Sequence, residues 1–252
     1  MPRWALCVGF VLACGPANAA GLSVAVASNF LAPLEAIVKA YVATGGEPVQ
    51  ISPGATGHHY AQIVNGAPYD VFLAADQARP QRLMADGFAV TGSQFTYAKG
   101  RLVLWSQTAA QLPAEGLSGL AQQSPRRLAI ANPRLAPYGL AARQALMATD
   151  QWQALGPVVV RAHNVAQAFQ YVVTGNVTHA LVAASFVAIS APDQGEWMMV
   201  DANLHAPIRQ DAVRLKNARN PAEAKAFLAF LRSAKTTAIL EQFGYDTGAA
   251  EP

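Results

Sequence analysis

A chain of 252 residues, 52% hydrophobic and only 13% charged, is long enough for one large or two smaller packed domains and too apolar for a disordered one. The formal net charge of +3 is spread thinly, with Arg126 and Arg127 the sole adjacent basic pair, so no nucleic-acid-binding patch is expected. Both cysteines, Cys7 and Cys14, fall within the first 20 residues, which leaves the rest of the chain without a disulfide or a thiolate.

The first 20 residues read as a signal peptide. One basic residue, Arg3, precedes an apolar run from Trp4 to Cys14, and ANA at 17 to 19 places cleavage near Ala19 or Ala20. The competing reading makes Cys14 of VLAC a lipidated first residue; Leu12 beside Ala13 is a poorer match than the small pair such a signal prefers, so a soluble periplasmic chain is the expectation. No later run approaches the roughly 18 uninterrupted apolar residues that span a bilayer.

LSVAVAS (22 to 28) has the pattern of a short apolar strand. A helix follows, with Leu34, Ile37, Val38 and Tyr41 in register and Gly45 or Gly46 at its end. PVQIS (48 to 52) is a second strand, GATGHHY (54 to 60) opens a second helix, and YDVFLAAD (69 to 76) is a nearly continuous apolar run of the kind buried in a parallel sheet. Strand, helix, strand, helix, strand predicts a right-handed α/β unit. The order recurs: strands at 101 to 106 and 126 to 133, a helix at 137 to 152, a strand at 157 to 163, a helix from Asn164, and an apolar run at 180 to 189. The tail, 220 to 244, is helical with a break near Ser233. Two α/β lobes fit this length, with a crossover near YAKG (97 to 100).

Three strand-to-helix junctions share one chemistry: ASNF (27 to 30), GATG (54 to 57) and NPRLAPYG (132 to 139). Each puts a small or hydroxyl residue where a helix begins, and the free N–H groups and positive dipole end there attract anions. Ser28, Asn29 and Thr56 would serve equally as ordinary N-caps. All three junctions lie at the C-terminal edge of sheets, where ligands collect in open α/β folds, and this joint placement favours a ligand.

His58 and His59 are neighbours, so on a helix they diverge by about 100° and do not share a tetrahedral ion. His163, His179 and His205 have no local partner at metal-ligand spacing. The expectation is therefore no metal cation, with one of the pair packed and the other solvated. GxSxG, the phosphate-binding GxxxxGK[ST] and GxGxxG are all absent, and Asp70 and Asp76 flank a strand without an acid-base spacing. No catalytic residue, no enzyme activity and no cofactor are expected.

ASNF, GATGHHYAQIVNGAPYDVFLAADQ, IANPRLAPYGLAARQAL, the NV of AHNVAQAF and FLAFLRSAKTTAILEQFGY together resemble the periplasmic molybdate-binding protein of ABC importers, over essentially the whole chain after the leader. The most specific part is GAPYDVFLAADQ, similar to the family's GAPADVFISADQ. The resemblance implies a two-lobed type II periplasmic-binding-protein fold with two hinge crossovers, the second near 200 to 207. Residues 21–98 plus 205–252 would form one lobe and 99–204 the other, with the ligand in the interlobe cleft. It further implies a monomer that captures molybdate or tungstate and delivers it to a membrane permease.

By the same likeness, Asn29 with Ser28 beside it would donate from the first junction, and Thr56 would supply hydroxyl and amide from the second. Tyr138 and Val165 would each supply a backbone N–H. Three departures from the family pattern stand out. Ala183 occupies the position of a tyrosine that some members use as a donor, which Tyr138 of APYG would replace with its phenol. Arg134 stands in a loop where relatives are often acidic, and IRQDAVRLKNA (208 to 218), with Arg209 and Asp211, replaces a more apolar strand. The alternatives are a receptor for sulfate or phosphate or, from a different class, an exported hydrolase or metal-binding protein resting on the histidine pair.

Overall fold

The computed structural model describes residues 21–190 and 194–247. The expected signal peptide and Cys14 lie outside the described residues.

Two five-stranded mixed sheets organise the chain. The first has the order β2-β1-β3-β10-β4, from β1 (Leu22–Ala27), β2 (Val49–Gly54), β3 (Val71–Leu73), β4 (Phe95–Gly100) and β10 (Ile208–Arg214). In it β1 runs parallel to β2 and β3, while β10 is antiparallel to β3 and β4. The second has the order β7-β6-β8-β5-β9, from β5 (Leu102–Ser106), β6 (Leu128–Ala131), β7 (Val159–Ala162), β8 (His179–Ala183) and β9 (Glu196–Met199). Here β6 is parallel to β7 and β8, and β5 antiparallel to β8 and β9. The chain passes from the first sheet to the second between Gly100 and Leu102 and returns between Met199 and Ile208.

The apolar strand runs are continuous because each sheet is covered on both faces. In the first lobe, Val24, Val26, Val71, Leu73 and Ala212 pack in one cluster with residues of α1 (Leu31–Val42), α7 (Pro221–Leu231) and α8 (Ala234–Gln242). Ala25, Phe72, Ala74 and Val213 pack in another with Ile63 of α2 (Thr56–Val64) and Leu83 of α3 (Ala78–Ala85). Successive side chains of a strand point to opposite faces, so both parities must be apolar. The second lobe has a cluster around Trp105, Leu128, Ile130 and Leu181, covered by α4 (Pro137–Ala148) and α6 (Val165–Val173).

Three boundaries differ from the periodicity reading. The helix expected over 137 to 152 ends at Ala148; Asp150 takes a left-handed conformation (φ 56°) before the short α5 (Gln151–Leu155). The run 180 to 189 is β8 followed by a 3-10 turn, Ala184–Ile189. Only Val71–Leu73 of 69 to 76 is strand. Asp70 instead turns its buried carboxylate back onto the backbone N–H groups of Ser23 (2.7 Å) and Arg219 (2.6 Å). The tail breaks where Ser233 caps α8, its hydroxyl oxygen accepting from Thr236 N at 3.3 Å.

Candidate functional site

Four chain segments meet where the two sheets face each other. The 3-10 turn Ser28–Phe30 follows β1 and α2 follows β2; α4 follows β6 and α6 follows β7. All four leave the C-terminal ends of parallel strands, so helix N-termini from both lobes converge on one space. That space, a narrow cavity of about 10 Å³, is lined by Ser28, Asn29, Thr56, Tyr138 and Val165 among others, and no lining residue carries a formal charge.

The five residues expected from sequence are brought together, with different local roles from ordinary caps. The residues preceding these helices and the 3-10 turn are Ala27, Ala55 and Ala136, none with a side-chain cap, while Thr56 lies inside the first turn of α2. The Thr56 hydroxyl accepts from Ala75 N (3.1 Å), which leaves its proton to be donated. Ser28 Oγ accepts from Ala166 N of the opposite lobe at 3.4 Å. Pro137 opens α4, fixing the first-turn geometry that presents the N–H of Tyr138. Asn164 caps α6, its carboxamide oxygen accepting from Gln167 N (2.9 Å), and this orients the turn that begins at Val165.

Behind the cavity lies a buried polar network between the lobes. Asn29 Nδ2 donates to Gln210 Oε1 (2.9 Å) and to the Tyr245 hydroxyl (2.8 Å), while Asn29 Oδ1 is buried without a partner. Gln210 Oε1 also accepts from the Tyr97 hydroxyl (3.2 Å), and Gln210 Nε2 donates to the Tyr138 hydroxyl (3.3 Å). Ser185 and Tyr245 donate their hydroxyls to Asn29 O at 2.9 and 3.0 Å. Burial pushes the phenols of Tyr97 and Tyr138 well above the usual tyrosine range and that of Tyr245 up to about 12, so all three stay protonated. The Tyr138 phenol thus joins this network as an acceptor, while Ala183, the position for which it was expected to substitute as a donor, is buried in β8.

The remaining departures from the family pattern also find their places. Gln210 and Asp211 are buried, with a bulge between them in the pairing of β10 and β4. Asp211 accepts from Gln77, Gln94 and Thr96, so the extra polarity of this strand serves the interior of the first lobe. Arg134 is exposed at the cleft mouth, where its carbonyl accepts from Arg79 of the first lobe (3.0 Å). The Arg79 guanidinium also pairs with Asp76, and beside it Gly57 N donates to Leu135 O across the cleft at 2.8 Å.

His58 is exposed and His59 buried, their ring centroids 6.5 Å apart. His59 contacts Gln62 through Nδ1 (3.0 Å), and burial lowers its pKa; its Nε2 packs over Gly54, where a Cβ would stand 2.7 Å away. Among the described residues no group of three or more His, Cys, Asp or Glu side chains is placed to hold a metal ion.

Sequence reasoning missed Gln210, Tyr97, Ser185 and Tyr245. A lone glutamine inside a strand carries no local signal, and Tyr245 stood out only through the FGY close of the family pattern.

Two lobes joined by two crossovers around a cleft of helix N-termini define a type II periplasmic solute-binding protein. The family model for bacterial extracellular solute-binding proteins matches residues 22–246, and the chain belongs to that family. It is 38% identical over 243 residues to the molybdate-binding protein ModA of Rhodobacter capsulatus, covering 96% of this chain and 94% of that protein. With the molybdate-binding protein ModA of Azotobacter vinelandii the identity is 41% over 236 residues, 93% of each. The solved periplasmic molybdate-binding protein of A. vinelandii superposes with a TM-score of 0.85 at 37% identity, over 90% of this chain and all of that one. Family and fold are those of transport solute-binding proteins, not of enzymes.

Proposed function

We propose that this chain captures molybdate or tungstate outside the cytoplasm and hands it to the permease of an ABC importer, after export by the signal peptide at 1–20. The observation that carries the reading is the convergence of Ser28, Asn29, Thr56, Tyr138 and Val165 on one uncharged cavity, in a chain that shares about two fifths of its residues with proteins named for binding molybdate.

A tetrahedral dianion has only acceptors, and a wall of neutral N–H and O–H donors matches it without a compensating cation. Each hydrogen bond to a charged group is worth about 1.5 to 3 kcal/mol, so about six of them give a gross gain on the order of 10 kcal/mol before ordering costs. That suffices for sub-micromolar affinity. Protonated phosphate brings a donor that would face another donor, whereas sulfate must be rejected by size, through how far the lobes close. The permease, the monomeric state and the lobe limits 21–98 plus 205–252 and 99–204 belong to the same reading.

Thermal unfolding of the purified protein with molybdate, tungstate, sulfate, phosphate and zinc tests it. Saturation at about 100 times Kd adds about 2.7 kcal/mol of stability, a shift of several degrees, with the first two anions alone. An equal shift with sulfate makes the protein a receptor for another oxyanion, and a shift with zinc alone refutes the reading.

A further inference from the structure

We infer that Gln210 is a positioning residue for the anion, setting which end of the Asn29 carboxamide faces the site; the inference rests on the oxyanion-receptor reading above. It starts from the unpartnered Asn29 Oδ1. Asn29 lines the cavity, and both hydrogens of its amide are committed to Gln210 and Tyr245. In this arrangement the end of the carboxamide left over is an acceptor. An oxyanion offers only acceptors, so Asn29 as it stands repels the ligand that the neighbouring N–H groups attract.

The network has a second arrangement, completed when an anion accepts from its free end. Turning both carboxamides by half a rotation puts Asn29 Oδ1 where Gln210 Nε2 and the Tyr245 hydroxyl donate to it. Gln210 Nε2 then also donates to the Tyr97 hydroxyl, which keeps its own proton on Ala74 O, an existing contact of 3.1 Å. Gln210 Oε1 comes to lie where Nε2 was and accepts from the Tyr138 phenol. Ser185 continues to donate to Asn29 O. The other polar atoms of the network retain a partner, and the Asn29 amide becomes the free end, two N–H donors turned to the site. The two arrangements differ in hydrogen-bond direction and need no movement of the backbone.

Gln210 decides between them because its carboxamide meets that of Asn29 directly, so the end it presents fixes the end Asn29 must present, while the tyrosine hydroxyls, each both donor and acceptor, adapt to either direction. It is fully buried, and its side chain reaches the phenol of the opposite lobe only while the cleft is closed. A Cβ on Gly100, at the first crossover, would stand 2.1 Å from the Tyr138 hydroxyl and 2.8 Å from Gln210 Nε2, so this position is kept bare for the contact. The donor state of Asn29 is thereby tied to closure, and Tyr138 serves the ligand twice, by its N–H directly and by its phenol through Gln210.

Calorimetric titration of molybdate into the signal-free chain tests this through a double-mutant cycle of Gln210→Met and Asn29→Ala. Gln210→Met is expected to weaken binding about tenfold in the parent and by less than about twofold in the Asn29→Ala background, since its effect acts through Asn29. Gln210→Glu, an acceptor only, fixes the Asn29 amide in the repelling direction and weakens binding more than Gln210→Met does. Thermal unfolding of each variant establishes that it is folded. Should Gln210→Met not fold, Tyr138→Phe removes the donor that the reversed glutamine needs and carries the same cycle. Equal losses in both backgrounds, or no loss in the parent, overturn the inference while leaving the receptor reading intact. A parent chain that binds no tetrahedral oxyanion overturns both.

Discussion

Replacing Gly57 with valine should hold the cleft open without harming either lobe. Gly57 lies in the first turn of α2, and its N–H reaches Leu135 O of the other lobe at 2.8 Å. A Cβ there would stand 3.0 Å from Leu135 O and from Arg79 Nη2, and 3.1 Å from Leu135 Cα. Unstrained carbon contacts need about 3.5 Å or more, so even one methyl requires a shift of roughly half an ångström, and valine adds two further carbons. An opened cleft breaks the neutral Gly57 to Leu135 bond and the charge-assisted Arg79 to Arg134 bond, worth about 1 and 1.5 to 3 kcal/mol. Together they amount to about 2.5 to 4 kcal/mol, a loss of about 70- to 1000-fold in affinity. Valine and glycine differ by only about 0.5 kcal/mol in helix propensity, so the ligand-free protein should melt close to the parent. Calorimetry with molybdate reads the affinity, and small-angle scattering shows whether the compaction of the parent on binding is abolished. Affinity within about twofold of the parent would refute this account of closure.

Thr56→Ala removes a hydroxyl aimed at a charged ligand and should weaken molybdate binding about 10- to 100-fold by calorimetry; because Ala75 N also loses its acceptor, ligand-free stability should fall by about 1 to 3 kcal/mol. Gly139→Ala places a Cβ 2.1 Å from Ala131 O and 2.7 Å from Ala131 C, backbone that cannot yield, so urea unfolding should show a loss of about 2 kcal/mol or more and the presentation of the Tyr138 N–H should suffer. Asp70→Ala removes the buried carboxylate that accepts from the Ser23 and Arg219 N–H groups, a loss of about 1 to 3 kcal/mol in the same assay. Burial lowers the pKa of both His59 and His179 below the ordinary 6.5, so the unfolded chain binds protons first as pH falls. Stability is therefore complete above that value and declines below it, by up to about 1.4 kcal/mol per pH unit for each histidine, until the folded pKa is passed. Melting temperatures from pH 8 to 5 should show this decline, and His59→Gln should flatten it.

The α/β layers were legible in the order of residues, because a strand covered on both faces needs apolar residues at both parities, as LSVAVA shows. Ser28, Asn29 and Thr56 stood out as small or hydroxyl residues at strand-to-helix junctions, whereas Tyr138 and Val165 were singled out only by the family resemblance. That these residues share one cavity emerges only in three dimensions, since Asn29 and Val165 stand on different lobes and no periodicity spans that separation. The YAKG crossover could be read locally, while β4 itself, half polar and at a sheet edge, could not. Gln210 was illegible for a related reason: a buried polar side chain gains its meaning from partners contributed by Asn29, Tyr97 and Tyr138, which only the folded chain assembles. The paired histidines show the reverse case, a conspicuous sequence feature that the fold divides between solvent and core. Local propensity fixes what each segment is, and the cleft arises from where the two sheets bring their strand ends together.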